Sequence, residues 1–90
     1  MNNDEVKGYK PAPNYPKRAL MLKQEGLVVV NALVNKTGSV LKVDITKSSG
    51  FNLLDDSAKT AIMNWKFEPF QTAGDTATIW VKIPVEFVIG

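Results

Sequence analysis

The C-terminal run of the chain constrains its fold more than any other stretch. From Ala77 to Ile89, the residues Ile79, Val81, Ile83, Val85, Phe87 and Ile89 recur at strict period two. Trp80, Lys82, Pro84, Glu86 and Val88 fill the alternate positions. Such alternation marks a β-strand with one face on a core. Pro84 lies in its middle, and proline has no N–H to give to a ladder. A strand containing one belongs at a sheet edge or carries a bulge. Unless Pro84 sits at a bulge, Lys82 and Glu86 share its backbone parity and point their N–H groups to the free side. Val81, Ile83 and Val85 then bond inside the sheet. A long apolar edge is an aggregation hazard unless something uses it. Addition of a partner's extended peptide is one use. The other reading is that Lys82, Pro84 and Glu86 only protect the edge, and these residues leave both open.

The rest of the chain must supply the remainder of a small sheet and its cover. With 90 residues there is room for one domain. Hydrophobic residues at 44% and charged ones at 22% suit a folded chain. Residues 1–14 are polar, carry Pro11 and Pro13, and read as extended linker. Asn14 is a candidate helix cap, with Pro16 in the first turn and Ala19, Leu20 and Leu22 following; Glu25-Gly26 stops the helix. Val28, Val30, Ala32 and Val34 alternate as the core face of a strand over 27–34, and Leu27, Val29 and Leu33 make its other face apolar enough to be covered too. Asn35-Lys36-Thr37-Gly38 is a hairpin turn. The second strand spans about 39–47, where Val40 falls out of step with Val43 and Ile45, predicting a bulge near Leu41-Lys42. Ser48-Ser49-Gly50 ends it. Leu54, Ala58, Ala61, Ile62 and Trp65 form one helical stripe, with Trp65 expected as a core anchor. Asn52 or Asp55-Asp56 supplies the oxygens at that helix's start. Glu68-Pro69 closes the helix, and 71–75 reads as a loop. The fold class is α+β: a three-stranded antiparallel sheet with two helices packed on one face, in α-β-β-α-β order.

Chemistry is narrowly bounded. The sequence has no Cys and no His, which removes disulfides, the usual zinc sets and His- or Cys-based catalysis. Asp55-Asp56 is explained by its helix start, and Ser48-Ser49-Gly50 has no base beside it. The glycines Gly8, Gly26, Gly38, Gly50 and Gly74 sit singly, so none builds a phosphate loop. The expectation is a protein that is not an enzyme and takes no cofactor or metal. The net charge of +2 is spread between acids, and Arg18 is the one arginine, unlike a nucleic-acid surface. The strands before Ile79 carry no aromatic on which a base could stack. No apolar run approaches the ~20 residues of a membrane helix, and Met1–Asp4 is no signal peptide. Any export signal or anchor is expected outside this stretch.

An ordered set of short motifs adds a resemblance. It starts with Pro13-Asn14-Tyr15-Pro16, Ala19, Glu25-Gly26 and Val28-x-Val30. Gly38-x-Val40, Val43-x-Ile45, Ser48-Ser49-Gly50, Leu54-Asp55, Ala58 and Ala61 follow. Trp65-Lys66-Phe67-Glu68-Pro69 and Val81-x-Ile83-Pro84-Val85-x-Phe87 complete it. Together they resemble the TonB C-terminal domain family across residues 13–89. The resemblance implies domain bounds of 1–12 for the end of a periplasmic linker and 13–90 for the domain.

It further implies an energy transducer of a Gram-negative bacterium, anchored in the inner membrane, with this domain in the periplasm. The anchor would join the ExbB/ExbD proton-channel complex through a segment not in this sequence. The domain would bind the TonB box of outer-membrane transporters by strand addition, driving uptake of substrates such as iron complexes, other metals or vitamin B12. The implied contacts are Trp80, Lys82, Pro84, Glu86 and Val88 on the last strand, with Lys10, Ala12, Asn14 and Tyr15 before the first helix. Some family members have Gln where this chain has Ala12, leaving Lys10, Asn14 and backbone groups to make that contact. Two alternatives stand beside this reading. A TolA-like envelope-integrity module usually carries a disulfide, against which the missing Cys argues. A structural dimerisation module would pair its edges with a second copy.

Overall fold

A computed structural model describes residues 8–70 and 77–90. The expected loop at 71–75 and the first seven residues of the expected linker lie outside that range. The elements are α1 (Lys17–Met21), β1 (Gly26–Asn35), β2 (Val40–Lys47), α2 (Asn52–Met63) and β3 (Thr78–Phe87). They form one three-stranded sheet in the order β2-β1-β3, antiparallel throughout, as the alternating patterns require.

β1 is the central strand, so its core face is the most deeply covered. Val28, Val30, Ala32 and Val34 are buried, and removing a side chain of that size from water contributes about 1.5–3 kcal/mol. Leu27, Val29 and Leu33 are only half-buried. Both helices lie on one face, and among the described residues the second cover that their apolar character suggested is not formed. The β1–β2 turn is closed by Asn35, whose Oδ1 accepts from the N–H groups of Thr37 and Ser39 at 3.1 and 2.9 Å. Gly38 takes φ of 92° there, and a Cβ on it would stand 1.9 Å from the Phe67 carbonyl oxygen. Only glycine fits that approach.

The bulge expected near Leu41 is present. The register steps from Leu33 opposite Lys42 to Val34 opposite Val40, leaving Leu41 unpaired and restoring Val40 to phase. A second irregularity had no signal in the sequence: Val29 pairs with Lys47 and Val30 with Ile45, passing over Thr46.

Both helix starts differ from expectation. Pro16 is the N-cap of α1, and no side chain caps it. Asn14 instead presents its backbone carbonyl to the Ser57 hydroxyl. The stop comes three residues before Gly26. Lys23 adopts φ of 55°, with Lys23 N–H on Leu20 O (3.0 Å) and Gln24 N–H on Ala19 O (2.9 Å), the bond pattern of a Schellman motif. Gly26 serves close packing, since a Cβ there would meet Ser49 Cβ at 3.0 Å.

On α2, Leu54, Ala58 and Ile62 carry the buried stripe. Asp55 is buried too, and its carboxylate turns back onto the preceding loop rather than capping. It accepts from Ser49 N–H (2.9 Å), Ser49 Oγ (2.8 Å) and Ser48 Oγ. Burial pushes this carboxyl up, but those three donors outweigh it and hold the group below the ordinary aspartate value. The helix ends before Trp65, which packs half-buried against the rim of the core rather than inside it. Its indole N–H needs a partner and finds Pro11 O at 2.8 Å.

Candidate functional site: the free edge of β3

β3 pairs with β1 residue for residue, from Gly26 opposite Phe87 to Asn35 opposite Thr78, with no shift. Pro84 is therefore not at a bulge. It faces Val29, whose carbonyl accepts from Thr46 Oγ1 on the β2 side at 3.2 Å. The backbone groups of Val29 thus point to β2 and away from Pro84. In an antiparallel ladder such a non-bonded pair directs the polar groups of both residues outward. Pro84 costs the ladder nothing at that position, since it has no N–H to lose.

The same parity holds for Trp80 opposite Leu33, Lys82 opposite Asn31 and Glu86 opposite Leu27. Their N–H and C=O groups, with the carbonyl of Pro84, make one row along β3 that is free among the described residues. The side chains of this set are exposed on the helix-free face of the sheet, Trp80 at 51%. Val88 lies past the end of the ladder and is exposed. The alternation expected to continue through Ile89 stops as a strand at Phe87.

On the other face, α2 packs over β2 and β1, leaving β3 at the margin of the cover. Ile83 and Phe87 are buried, Val81 and Val85 half-buried, and Ile79 is 38% exposed despite its core-facing parity. An apolar shelf thus borders the free row. Alternation alone put Ile79 and Val81 in phase with Ile83 and Phe87 and did not show this. The signal was indirect: a five-residue α1 and one longer helix cannot roof three strands.

The residues before α1 do not assemble as one group with this edge. Tyr15 stands at the Phe87 end of β3, with ring centroids 5.3 Å apart at 83°, edge to face. Its hydroxyl donates to Gln24 O, and burial, then the nearby Glu25 charge, raises its pKa. Lys10 places its ammonium 5.2 Å from the centre of the Phe67 ring. Ala12 and Asn14 border a groove of about 480 Å³ against Leu53, Ser57 and Thr60 of α2. Tyr9 is bridged to Lys66 through both backbone groups. Lys10 therefore lies over Phe67, and Ala12 and Asn14 border α2, whereas Tyr15 touches Phe87 of β3.

Among the described residues, no cluster of acidic side chains could hold a metal ion, and no helix is long and apolar enough to cross a membrane.

The family model for the C-terminal region of the Gram-negative bacterial TonB protein matches residues 11–89. The chain is 34% identical over 79 residues to the protein tonB2 of Pseudomonas aeruginosa, covering 88% of this chain and 29% of that relative. It is 37% identical over 82 residues to the TonB protein of Neisseria gonorrhoeae, covering 89% and 26%. The chain thus spans between a quarter and a third of the length of these relatives. The solution structure of the Pseudomonas aeruginosa TonB C-terminal domain superposes with a TM-score of 0.76 over 99% of this chain and 91% of that one, at 23% identity. A Helicobacter pylori TonB C-terminal domain gives 0.69 over 87% and 70%, at 29% identity.

Proposed function

Since the chain belongs to the family of TonB C-terminal domains, we propose that it is the periplasmic, transporter-gripping end of an energy transducer. In this reading residues 1–12 end a linker from an inner-membrane anchor coupled to a proton channel, and 13–90 form the gripping domain. The free row of β3 takes the extended TonB box of an outer-membrane transporter as a fourth strand. The observation that carries the reading is the unshifted β1–β3 register, which leaves Trp80, Lys82, Pro84 and Glu86 with outward backbone groups.

The physics suits a transient grip. Each added backbone hydrogen bond contributes about 0.5–1.5 kcal/mol net, offset by the cost of ordering the peptide. Affinity is then modest and tolerant of sequence, so one domain serves several transporters. Tension along the strands loads the bonds of the row together in shear, and pulling would displace the transporter's plug before the grip fails. Trp80, Lys82 and Glu86 meet the incoming side chains on the open face, with Val88 beyond the row's end. Tyr15 closes the Phe87 end, while Lys10, Ala12 and Asn14 reach only flanking parts of the transporter. The proposal assigns the domain no catalysis.

Titration of the 15N-labelled chain with a TonB-box peptide tests this. Amides of Trp80, Lys82 and Glu86 are expected to shift and to slow in exchange. Shifts confined to β2 or to the groove beside α2 would overturn the reading. Protection of the same amides without peptide, rising with protein concentration, would give the edge to a second copy instead.

A further inference from the structure

The tip of α1 carries an exposed apolar pair, Met21 and Leu22, and the edge-strand reading makes no use of it. Lys17, Arg18, Met21 and Leu22 lie on one side of this five-residue helix and line a shared surface pocket. Met21 is 76% exposed and Leu22 56%. The cations stand one turn before the apolar pair, at i and i+4 spacing. Lys23 adds a third positive charge just after the helix. It occupies a left-handed position, φ 55°, that glycine takes at least cost. Glu25 is the one acid within residues 17–25.

We propose that this tip is a contact for an anionic phospholipid surface. Long cationic side chains can hold their charges at headgroup level while Met21 and Leu22 dip beneath, the arrangement that amphipathic surface helices use. Size argues against a folded protein as the occupant. A stable protein interface takes about 800 Å² from each partner, and one five-residue helix with its flanking turn cannot supply that. A lipid surface sets no such minimum, since a few inserted side chains and about three charges already bias the domain toward it. The contact is independent of the β3 edge.

Flotation of the 90-residue chain with vesicles tests it. The chain is expected to float with vesicles of phosphatidylethanolamine and phosphatidylglycerol, to stay behind with phosphatidylcholine alone, and to be released by salt. Met21→Glu, and separately Arg18→Glu, should each lower the bound fraction about tenfold. Their side chains are exposed, so the circular dichroism melt should not move. Lys82→Pro should leave flotation unchanged. Equal behaviour with the two vesicle types overturns the proposal, as does wild-type flotation of Met21→Glu. Loss of flotation in Lys82→Pro would transfer the contact to β3. Self-association that Met21→Glu abolishes, with no flotation, would make a second copy the occupant.

Discussion

β2 and β3 are both edge strands, and both pair with β1, but β2 is interrupted twice while β3 runs ten residues without a shift. β2 bulges at Leu41 and Thr46, exposes Lys42, Asp44 and Lys47, and has α2 packed across it. Bulges, charges and cover are the usual means of denying an edge to other chains. β3 has a single opposed pair of charges, Lys82 and Glu86, and α2 does not roof it. Pro84 looks like a fourth such device. Its parity shows otherwise, because it removes one donor from the free row and leaves the other groups of that row in place. One sheet therefore closes one edge and keeps the other open, and proline within a strand does not by itself tell the two apart.

The contrast can be broken most severely at Ile83, whose N–H points to β1. Ile83→Pro should destabilise the domain by about 3 kcal/mol or more, read from denaturant melts. An effect as small as that of Lys82→Pro would mean the parity is reversed. On the β2 side, Asp55→Ala removes the acceptor of three hydrogen bonds that hold the loop leaving β2, with an expected cost of about 2–3 kcal/mol.

The same carboxylate gives the closed edge a pH dependence. Its folded pKa lies below the ordinary 3.8, so the unfolded chain takes up its proton first as pH falls. The stabilisation is whole above that ordinary value and is lost as pH drops through the lowered one. Acid titration of the urea midpoint should show this loss in the wild type and a flatter profile in Asp55→Ala.

Smaller in stability, but more telling, is Lys82→Pro. It should cost about 1 kcal/mol or less while weakening peptide binding several-fold, because it takes a second donor from the free row. Smallest in stability should be deletion of Leu41, which makes the β1–β2 register continuous at that point. The melt should move by about 1 kcal/mol or less, whereas sedimentation should reveal new self-association through a β2 edge that is no longer interrupted. A monomeric deletion variant would assign the closing of β2 to its charges and helix cover.

How much of this was legible beforehand follows from which interactions were local. The alternation in β1 and β3, the stripe of Leu54, Ala58 and Ile62, and the bulge at Leu41 are all written in spacing, and the structure has each of them. The edge placement of β3 was legible because Pro84 lacks an N–H, a fact that needs no tertiary knowledge. Trp65, Asp55 and Asn14 were misread because each has a partner distant in the chain or outside the expected motif: Pro11, the Ser48-Ser49 loop and Ser57. A capping residue and a loop-tying residue look alike in a sequence. Likewise, the half-open position of Ile79 depends on where α2 comes to rest, which periodicity does not encode.

The long separation between β1 and β3 has a consequence for the order of assembly. β2 follows β1 across a short turn, so that hairpin closes early, whereas Gly26 must wait for Phe87 at the far end of the chain. Pulsed amide exchange during refolding should find Asn31 and Leu33, which face β2, protected before Val28 and Val30, which face β3. The reverse order would show that the long-range pairing nucleates the fold. On the proposed function, a binding edge that forms last would be a safeguard in time: until the rest of the domain is in place, the chain would have no grip to misplace.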